Sequence, residues 1–394
     1  MSVREPPPFY RSPVQAPSFF NALKLILSDP AAVIPLTIFE AWALKLPGPG
    51  FPVVIAHPDD VRDVLVDKNG AFGRDRQLRR LMRRAWGDGL AASEGEAWAE
   101  QRRAASPAFR PAAVQAVTPI MAQVAKRVSR DWRADQPIEL AGQLGRIVVE
   151  VVTRGLLSER DDVDYDGVAR DIPKVISEVT RFGLLDVIPL PDGLVNRPRG
   201  IGRSDEEARL RSLAERLAVI RSHSPGGDQH LPSLLRGRGP VPDNIFGFML
   251  AGLETTALGA AWAIYLLALY PEWQEAIRAE VTRGDETQAL SISRQVAMEA
   301  LRLYPPAPIL VRKATRRTSI RGYRLLPAQA VLIPIYAIHR HRKLWDRPDD
   351  FDPGRFGPSG TYDRSAYLPF GQVRDYASPP ISPSPRFRSS SPSW

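Results

Sequence analysis

Carboxyl and hydroxyl side chains that could transfer protons lie together inside an unusually apolar stretch. Residues 245–270 are apolar except at Glu254, Thr255 and Thr256, which follow Ala251-Gly252-Leu253. A carboxylate is costly to bury without a partner, and a buried hydroxyl can hydrogen bond to the backbone of its own helix. The group is therefore either a packing feature that bends a helix or a place where protons are handled.

Trp98 and Arg102 form a second pattern that could do chemistry. Their spacing of four directs an indole N–H and a guanidinium to one side of a helix. Two donors aimed together can hold a carboxylate. The alternative is a tryptophan packed in the core beside a surface arginine.

Glu299 and Arg302, three residues apart, can pair on one helix face. The same spacing recurs at Glu275 and Arg278, where a solvated surface pair is the simplest interpretation. Apolar neighbours and the Tyr-Pro-Pro stop at 304–306 distinguish the first pair.

Residues 345–356 are rich in aromatic residues and proline, which excludes a regular helix and predicts a segment that runs over the surface near the sheet.

The composition excludes several kinds of site. None of the 394 residues is cysteine, so the chain offers no disulfide, thiol nucleophile, zinc–thiolate or iron–sulfur ligand. The five histidines are scattered, and we predict that His339 and His341 are a solvated loop pair; no metal cage is expected. The net charge of +9 would suit a nucleic acid, an anionic membrane or an acidic protein. Because the arginines are spread along the chain, we expect no nucleic-acid partner.

The elements that must position these residues are mostly helices. Apolar periodicity predicts helices over 59–66, 96–108, 111–134, 138–157, 205–222, 243–270, 271–282 and 291–304. Strands are predicted over 52–56, 309–314, 318–321 and 331–336, and residues 224–242 as a surface loop. The fold class is therefore mainly α, with a small β region assembled from distant segments.

Three regions and a cytoplasmic location are expected. Residues 1–20 form an irregular segment without the apolar core of a secretion signal, 21–377 form a single domain, and 378–394 form a disordered tail rich in serine and proline. The apolar run at 245–270 is long enough to span a membrane. We expect no span, because an isolated one deep in such a chain is unusual and a helix apolar all round can cross the middle of a large protein.

From about Pro52 to Gly371 the order and spacing of these motifs resemble the cytochrome P-450 family of heme-thiolate monooxygenases. The matching patterns are W-x-x-x-R, A-G-x-E-T-T, E-x-x-R, P-x-R-F and P-F-G. The resemblance implies a mostly helical prism, incomplete here at its C-terminus. It also implies heme as cofactor, a small apolar organic substrate, a separate ferredoxin or flavodoxin as electron donor, and a monomer.

The resemblance also implies roles for individual residues. Trp98 and Arg102 would bind one heme propionate and Arg312 the other, and Phe370 of the P-F-G element would contact the heme. Glu254 and Thr255 match the acid–alcohol pair that delivers protons to iron-bound dioxygen. A structural triad is implied at three further positions, Glu299, Arg302 and Arg355.

One departure from the family pattern decides what this chain can do. The family continues P-F-G-x-G-x-R-x-C-x-G, whereas this chain reads Pro369-Phe370-Gly371-Gln372-Val373-Arg374-Asp375-Tyr376-Ala377. The axial cysteine is missing and is expected at the position of Ala377. That thiolate donates electron density that favours O–O cleavage, so we predict that this chain is inactive and binds heme weakly or not at all.

The genetic code suggests a frameshift as the cause. If one base was lost near Gly371, rebuilt codons permit Ala, Gly, Pro, Arg, Leu, Cys and Ile at positions 372–378, and the junction of Asp375 and Tyr376 forces the leucine. The shifted frame also permits Phe and Ala at 382 and 383, where the family has them. The alternatives are a heme-free pseudoenzyme, a helical binding or scaffold protein, and a heme protein that uses Tyr376 as ligand. Substrate identity is not encoded in any recognisable motif. The apolar residues from Phe182 to Ile188 suggest a pocket lining, and packing in the core explains them equally well.

Overall fold

The protein is mainly helical, as its sequence predicts. The structure is a computed structural model that describes residues 13, 17, 30–48, 50–67, 69–73, 82–83, 86–133, 135–157, 163–179, 204–219, 230–282 and 291–371. Residues 372–394, most of 1–29 and the apolar group at 182–188 lie outside the described residues. The helices are α1 (Pro58–Val66), α2 (Gly95–Ala105), α3 (Pro111–Ser129), α4 (Leu140–Val152), α5 (Tyr165–Val179), α6 (Asp205–Ala218), α7 (Leu231–Leu234), α8 (Val241–Leu269), α9 (Pro271–Thr282), α10 (Ser291–Leu303) and α11 (Ile335–Ile338).

Distant parts of the chain combine into a small sheet. The strands are β1 (Ala43–Lys45), β2 (Val53–Ile55), β3 (Phe72–Gly73), β4 (Leu310–Ala314), β5 (Thr318–Ile320), β6 (Tyr323–Leu325) and β7 (Ala330–Ile333). Five of them form a sheet in the order β1-β2-β7-β4-β3, and β5 and β6 form a separate hairpin. Only the pairing of β2 with β7 is parallel among the strands described. The fully buried Val53, Val54 and Ile55 show why these residues form a strand in the core of the sheet.

The long apolar helix α8 crosses the helical part of the molecule. Its N-terminal half buries Phe246, Met249 and Leu253 in a cluster shared with α4, α5 and α6. Its C-terminal half buries Leu266 against α10. By length and composition α8 alone, among the helices described, could also cross a bilayer.

Several predicted elements have different boundaries or were missed. The strand predicted over 331–336 ends at Ile333, because Pro334 precedes the helical turn α11. The loop predicted over 224–242 contains α7 and the start of α8. Helix α5, which contains Pro173, was not predicted, yet its residues Val168, Ile172 and Val175 are buried at helical spacing.

The segment 345–356 contains no α-helix, as predicted, but it is more than a surface segment. It forms a single 3-10 turn at Pro353–Phe356. Trp345 and Phe351 are buried, and the indole N–H of Trp345 donates to the carbonyl of Ile338 at 3.0 Å. The aromatic residues therefore fill the core beneath this segment.

Candidate functional site

A strip of small and hydroxyl residues opens along the middle of α8. Thr255 Oγ1 donates to the carbonyl oxygen of Ala251 at 2.8 Å, and Thr256 Oγ1 donates to that of Gly252 at 2.7 Å. Such bonds to the preceding turn satisfy the hydroxyls and bend helices. A methyl group added at Gly252 would meet no atom within 4 Å, so there is open space beside this turn. The strip can therefore accept a flat ligand at close approach.

Glu254 lies on another flank of α8, beside a cavity of about 720 Å³ between α4, α5 and α8. An α-helix advances about 100° per residue, so Leu253, Glu254 and Ala257 face away from Gly252. Burial raises the pKa of the Glu254 carboxyl. Among the described residues its carboxylate has no hydrogen bond or ion pair, and Asp166 and Arg170 also line the cavity. A half-buried carboxyl that faces a cavity can take up and release a proton.

Trp98 and Arg102 are neighbours on successive turns of α2. The Arg102 guanidinium carbon lies 5.5 Å from the centroid of the Trp98 ring, and the Arg102 side chain is exposed. The helix is fixed against α8 by a buried amide pair, in which Asn244 Nδ2 donates to Gln101 Oε1 at 2.8 Å. The N–H of Leu90 donates to Asn244 Oδ1 at 2.7 Å. Asn244 and Gln101 were missed by sequence reasoning, because a single amide in an apolar helix gives no distinctive signal.

Arg312 lies in the middle of β4, and the P-F-G element that contains Phe370 ends near the first residue of that strand. Arg312 lies on β4, opposite Val331 of β7, and its Nη1 donates to the carbonyl of Val311 at 2.9 Å. Phe370 is 78% exposed. A Cβ atom on Gly371, whose φ of +71° favours glycine, would lie 3.3 Å from Leu310 Cδ1. The P-F-G element therefore ends against the start of β4.

Glu299, Arg302 and Arg355 form one buried ionic cluster. Glu299 accepts hydrogen bonds from Arg302 Nε at 2.6 Å and Arg302 Nη2 at 2.8 Å, and from Arg355 Nε at 3.3 Å. The remaining N–H groups of Arg302 donate to the backbone carbonyls of His339, Pro348 and Asp350, and Arg355 donates two further hydrogen bonds to those of Asp346 and Arg347. A buried ion pair needs this kind of full hydrogen bonding. The cluster ties α10 to the segment that follows the sheet.

The prediction that His339 and His341 are solvated was wrong, because both are fully buried. Nε2 of His339 accepts the N–H of Leu368 at 2.8 Å, and Nδ1 lies 3.1 Å from the carbonyl oxygen of Arg302. His341 stacks on Trp42, with ring centroids 4.3 Å apart. The charged run His339-Arg340-His341-Arg342-Lys343 suggested solvent exposure, whereas the first three side chains point into the core.

The described structure brings the predicted residues together in two groups. Glu254 and Thr255 share α8, which contacts α2 through Asn244 and α10 through the stacked rings of Trp262 and Tyr304, whose centroids are 3.8 Å apart. The ionic cluster and His339 connect α10 to the P-F-G element. Ala377 and Tyr376 lie outside the described residues.

A family model described as Cytochrome P450 matches residues 44–196 and 241–372. The match covers more than half of the chain, and it ends one residue after Gly371. It therefore includes α2, α8, α10 and the P-F-G element.

Curated relatives agree with the family match. Cyclooctatin synthase of Streptomyces melanosporofaciens is 31% identical over 349 residues, which cover 82% of this chain and 75% of the relative. Cyclooctat-9-en-7-ol 5-monooxygenase of the same organism is 28% identical, covering 82% and 74%. Cytochrome P450 714B1 of Oryza sativa subsp. japonica is 28% identical, covering 80% and 66%.

Proposed function

Because the chain belongs to the cytochrome P450 family, we propose that it derives from a heme monooxygenase that inserts one atom of dioxygen into an apolar organic substrate. We further propose that the chain as written lacks the thiolate on which this activity depends. One observation carries the second statement: the sequence contains no cysteine, although the P-F-G element that precedes the family's axial ligand is present at 369–371.

The chain has residues that can bind the propionates and the ring of a heme, but it has no cysteine thiolate to bind the iron. The open strip at Gly252 and Thr255 allows a flat macrocycle to approach α8, and Trp98 with Arg102 offers two donors to one propionate. We assign Arg312 to the second propionate and Phe370 to contact with the ring. When bound through a thiolate, heme supplies oxygen activation. Since this chain has no thiolate, we assign it no oxygen-transfer step.

We assign Glu254 and Thr255 as the acid and alcohol of the ancestral enzyme. The raised pKa of Glu254 and its cavity support a role in proton uptake. Thr255 Oγ1 donates to Ala251 and can still accept a second hydrogen bond. We assign the cluster of Glu299, Arg302 and Arg355 a structural role, which its burial and its many hydrogen bonds support.

A frameshift after Gly371 accounts for the missing ligand. The shifted frame permits a cysteine at position 377 and forces a leucine at the position directly before it. The family match ends at residue 372, next to the proposed slip. We propose that 21–377 corresponds to one domain and that 378–394 is a tail, rich in serine and proline, that is translated in the shifted frame.

We propose a cytoplasmic monomer whose ancestor received electrons from an acidic ferredoxin or flavodoxin. The net charge of +9 supports an acidic electron donor. The packing of α8 against α4, α6 and α10 supports its assignment as a core helix without a membrane span.

The reduced, carbonyl-bound absorption spectrum tests this proposal. We expect the full chain, expressed with excess hemin, to lack the red-shifted Soret band of a heme thiolate. We expect that one extra base after the codon for Gly371 restores the cysteine that the shifted frame permits at 377, and that the resulting chain shows that band. The proposal is wrong if the unaltered chain shows the band, or if the reframed chain folds and binds heme without it.

Hemin titration distinguishes the alternatives. A heme-free pseudoenzyme or scaffold protein takes up no stoichiometric hemin. A heme protein ligated by Tyr376 binds hemin, and its spectrum changes on Tyr376→Phe. Either result identifies what the present chain retains.

A further inference from the structure

An asparagine followed by a glycine lies in the turn that connects α1 to β3. The chain has four asparagines, at positions 21, 69, 196 and 244, and only Asn69 is followed by glycine. Asn69 and Gly70 are both exposed. Gly70 has a φ of +63°, and a Cβ atom built on it would meet no atom within 4 Å. No side chain at residue 70 therefore shields its backbone nitrogen from the amide group of Asn69.

Hydrogen bonds hold the main chain of this turn but not the side chain of Asn69. The carboxylate of Asp67 accepts the N–H groups of Ala71 and Phe72, each at 2.9 Å. The N–H of Thr315 donates to the carbonyl of Ala71 at 2.9 Å. Within the described ranges the Asn69 side chain makes no hydrogen bond. Its amide group can therefore rotate towards the following peptide bond while the turn keeps its shape.

The residues that follow β4 bind the two carbonyls of this turn. Arg316 Nη2 donates to the carbonyl oxygen of Asn69 at 3.2 Å, and Thr315 Oγ1 donates to that of Gly70 at 2.6 Å. The carbonyl oxygen of Asn69 and the nitrogen of Gly70 belong to one peptide group, so deprotonation of the nitrogen places negative charge on that oxygen. A guanidinium that donates to the oxygen stabilises this charge.

We propose that Asn69 is a site of spontaneous deamidation and that Arg316 promotes the reaction. Hydroxide removes the proton from the nitrogen of Gly70, and this nitrogen attacks Cγ of Asn69. The new N–Cγ bond closes a five-membered imide, the bond between Cγ and Nδ2 breaks, and Nδ2 takes a proton from water and leaves as ammonia. Water then opens the imide at either carbonyl, which gives aspartate or isoaspartate.

The reaction consumes one water molecule, releases one ammonia and needs no oxidant, so it is independent of whether heme is bound. Both products add one negative charge beside Arg316. Isoaspartate also lengthens the main chain by one methylene group, three residues before Phe72, which pairs with Ala314 in the sheet. Deamidation therefore changes both charge and chain spacing where the turn enters β3.

Peptide mapping of the full chain tests the proposal. Trypsin releases residues 69–74, in which Asn69 is the only amide side chain. After incubation of the native protein at about pH 8 we expect this peptide to gain about 1 Da and to contain isoaspartate, at a rate that rises with pH. Asn244, which is buried and followed by isoleucine, should remain unchanged. A native protein that keeps Asn69 intact while the urea-unfolded chain converts it would overturn the proposal.

The variant Arg316→Gln tests the role of the guanidinium. Conversion of the native protein should be about 5-fold slower, the effect of losing one exposed charge-assisted donor to the developing oxyanion. Arg317→Gln removes the same charge from the next exposed position and should change the rate by less than about 2-fold. In urea, where the contact between Arg316 and Asn69 is lost, both variants should convert as fast as the unaltered chain. Equal native rates for the two variants would show that Arg316 does not promote the reaction.

The variant Asn69→Gln identifies the reacting residue. Its longer side chain must close a six-membered ring, which is much slower, so the peptide should keep its mass while the protein stays folded by circular dichroism. A gain of about 1 Da at the same rate in Asn69→Gln would show that imide formation at Asn69 is not the cause, and the proposal would be wrong.

Discussion

The fully buried imidazole of His339 accepts a hydrogen bond at 2.8 Å from the backbone N–H of Leu368, the residue directly before the P-F-G element. A backbone N–H can only donate, so Nε2 is the unprotonated nitrogen. Nδ1 therefore carries the proton and donates to the carbonyl of Arg302 at 3.1 Å. The neutral ring is the state that this packing requires.

This geometry predicts acid sensitivity. Burial, and then the charge of Arg302, lowers the pKa of His339 from 6.5 to about 3. Between these values the unfolded chain binds a proton that the native chain does not, so the free energy of unfolding falls as the pH falls. At pH 5 this single group should lower it by about 2 kcal/mol. Urea unfolding at pH 7 and pH 5 measures the change.

The variant His339→Asn provides the comparison for that experiment. An amide can donate and accept without titrating, so the loss between pH 7 and pH 5 should shrink by about 2 kcal/mol. The same pH dependence in both proteins would show that His339 is not the responsible group.

A second prediction concerns the buried pair of Glu299 and Arg302. Glu299→Ala should lower the free energy of unfolding by about 3–5 kcal/mol, because it leaves a buried guanidinium without its counter-charge. Glu275→Ala breaks a pair of the same spacing with Arg278, but both of its side chains are about 70% exposed, so the cost should be below about 0.5 kcal/mol. Denaturant titration compares the two variants, and similar costs would contradict the assignment.

A third prediction concerns Arg102 in the chain with its reading frame restored. Arg102→Gln should speed heme transfer to a scavenging apoprotein by about 10- to 100-fold, the effect of losing one charge-assisted hydrogen bond. Arg103→Gln removes the same charge from the next exposed position of α2 and should have little effect. Equal rates for the two variants would remove Arg102 from the propionate site.

A fourth prediction follows from the raised pKa of Glu254. The native state holds this proton to higher pH than the unfolded state, so ionisation costs stability as the pH rises above the ordinary range of a glutamate. Glu254→Gln should therefore increase stability at pH 7, by less than about 1 kcal/mol because the site is half open to solvent. The gain should vanish near pH 4.

Glu215→Gln makes the same chemical change at an exposed position of α6 and should leave stability unchanged. A Glu254→Gln protein no more stable than this control at pH 7 would show that burial does not oppose the charge on Glu254.

Sequence patterns predicted the helices and strands of this protein better than they predicted its tertiary contacts. Apolar periodicity identified α8 and α10, because each buries a stripe of side chains at helical spacing. It missed α5, where Pro173 lies within the helix. The spacing of Glu299 and Arg302 indicated a pair, but its burial depends on carbonyls about 40–50 residues away, which local sequence cannot reveal.

Motifs predicted the candidate site where chemistry depends on neighbours in sequence, as for Trp98 with Arg102 and for Glu254 with Thr255. Motifs failed to predict the environment of a residue where that environment depends on the tertiary fold. His339 lies in a strongly polar run, and only the packing of Tyr367 and Trp345 around it explains its burial. The hydrogen bond of Asn244 that joins α8 to α2 was likewise not predicted, because a single amide in an apolar helix gives no distinctive pattern.

The hydrogen-bond partners of Glu299 and Arg302 determine when the buried ionic cluster can form on the growing chain. Glu299 and Arg302 cannot be buried in the complete cluster until Asp352 and Arg355 have left the ribosome, because these two residues supply its last hydrogen bonds. Leu368, which caps His339, emerges soon afterwards. Every residue of this inner framework precedes residue 372 in the sequence, so the proposed frameshift after Gly371 leaves the buried charges and their hydrogen-bond partners unchanged.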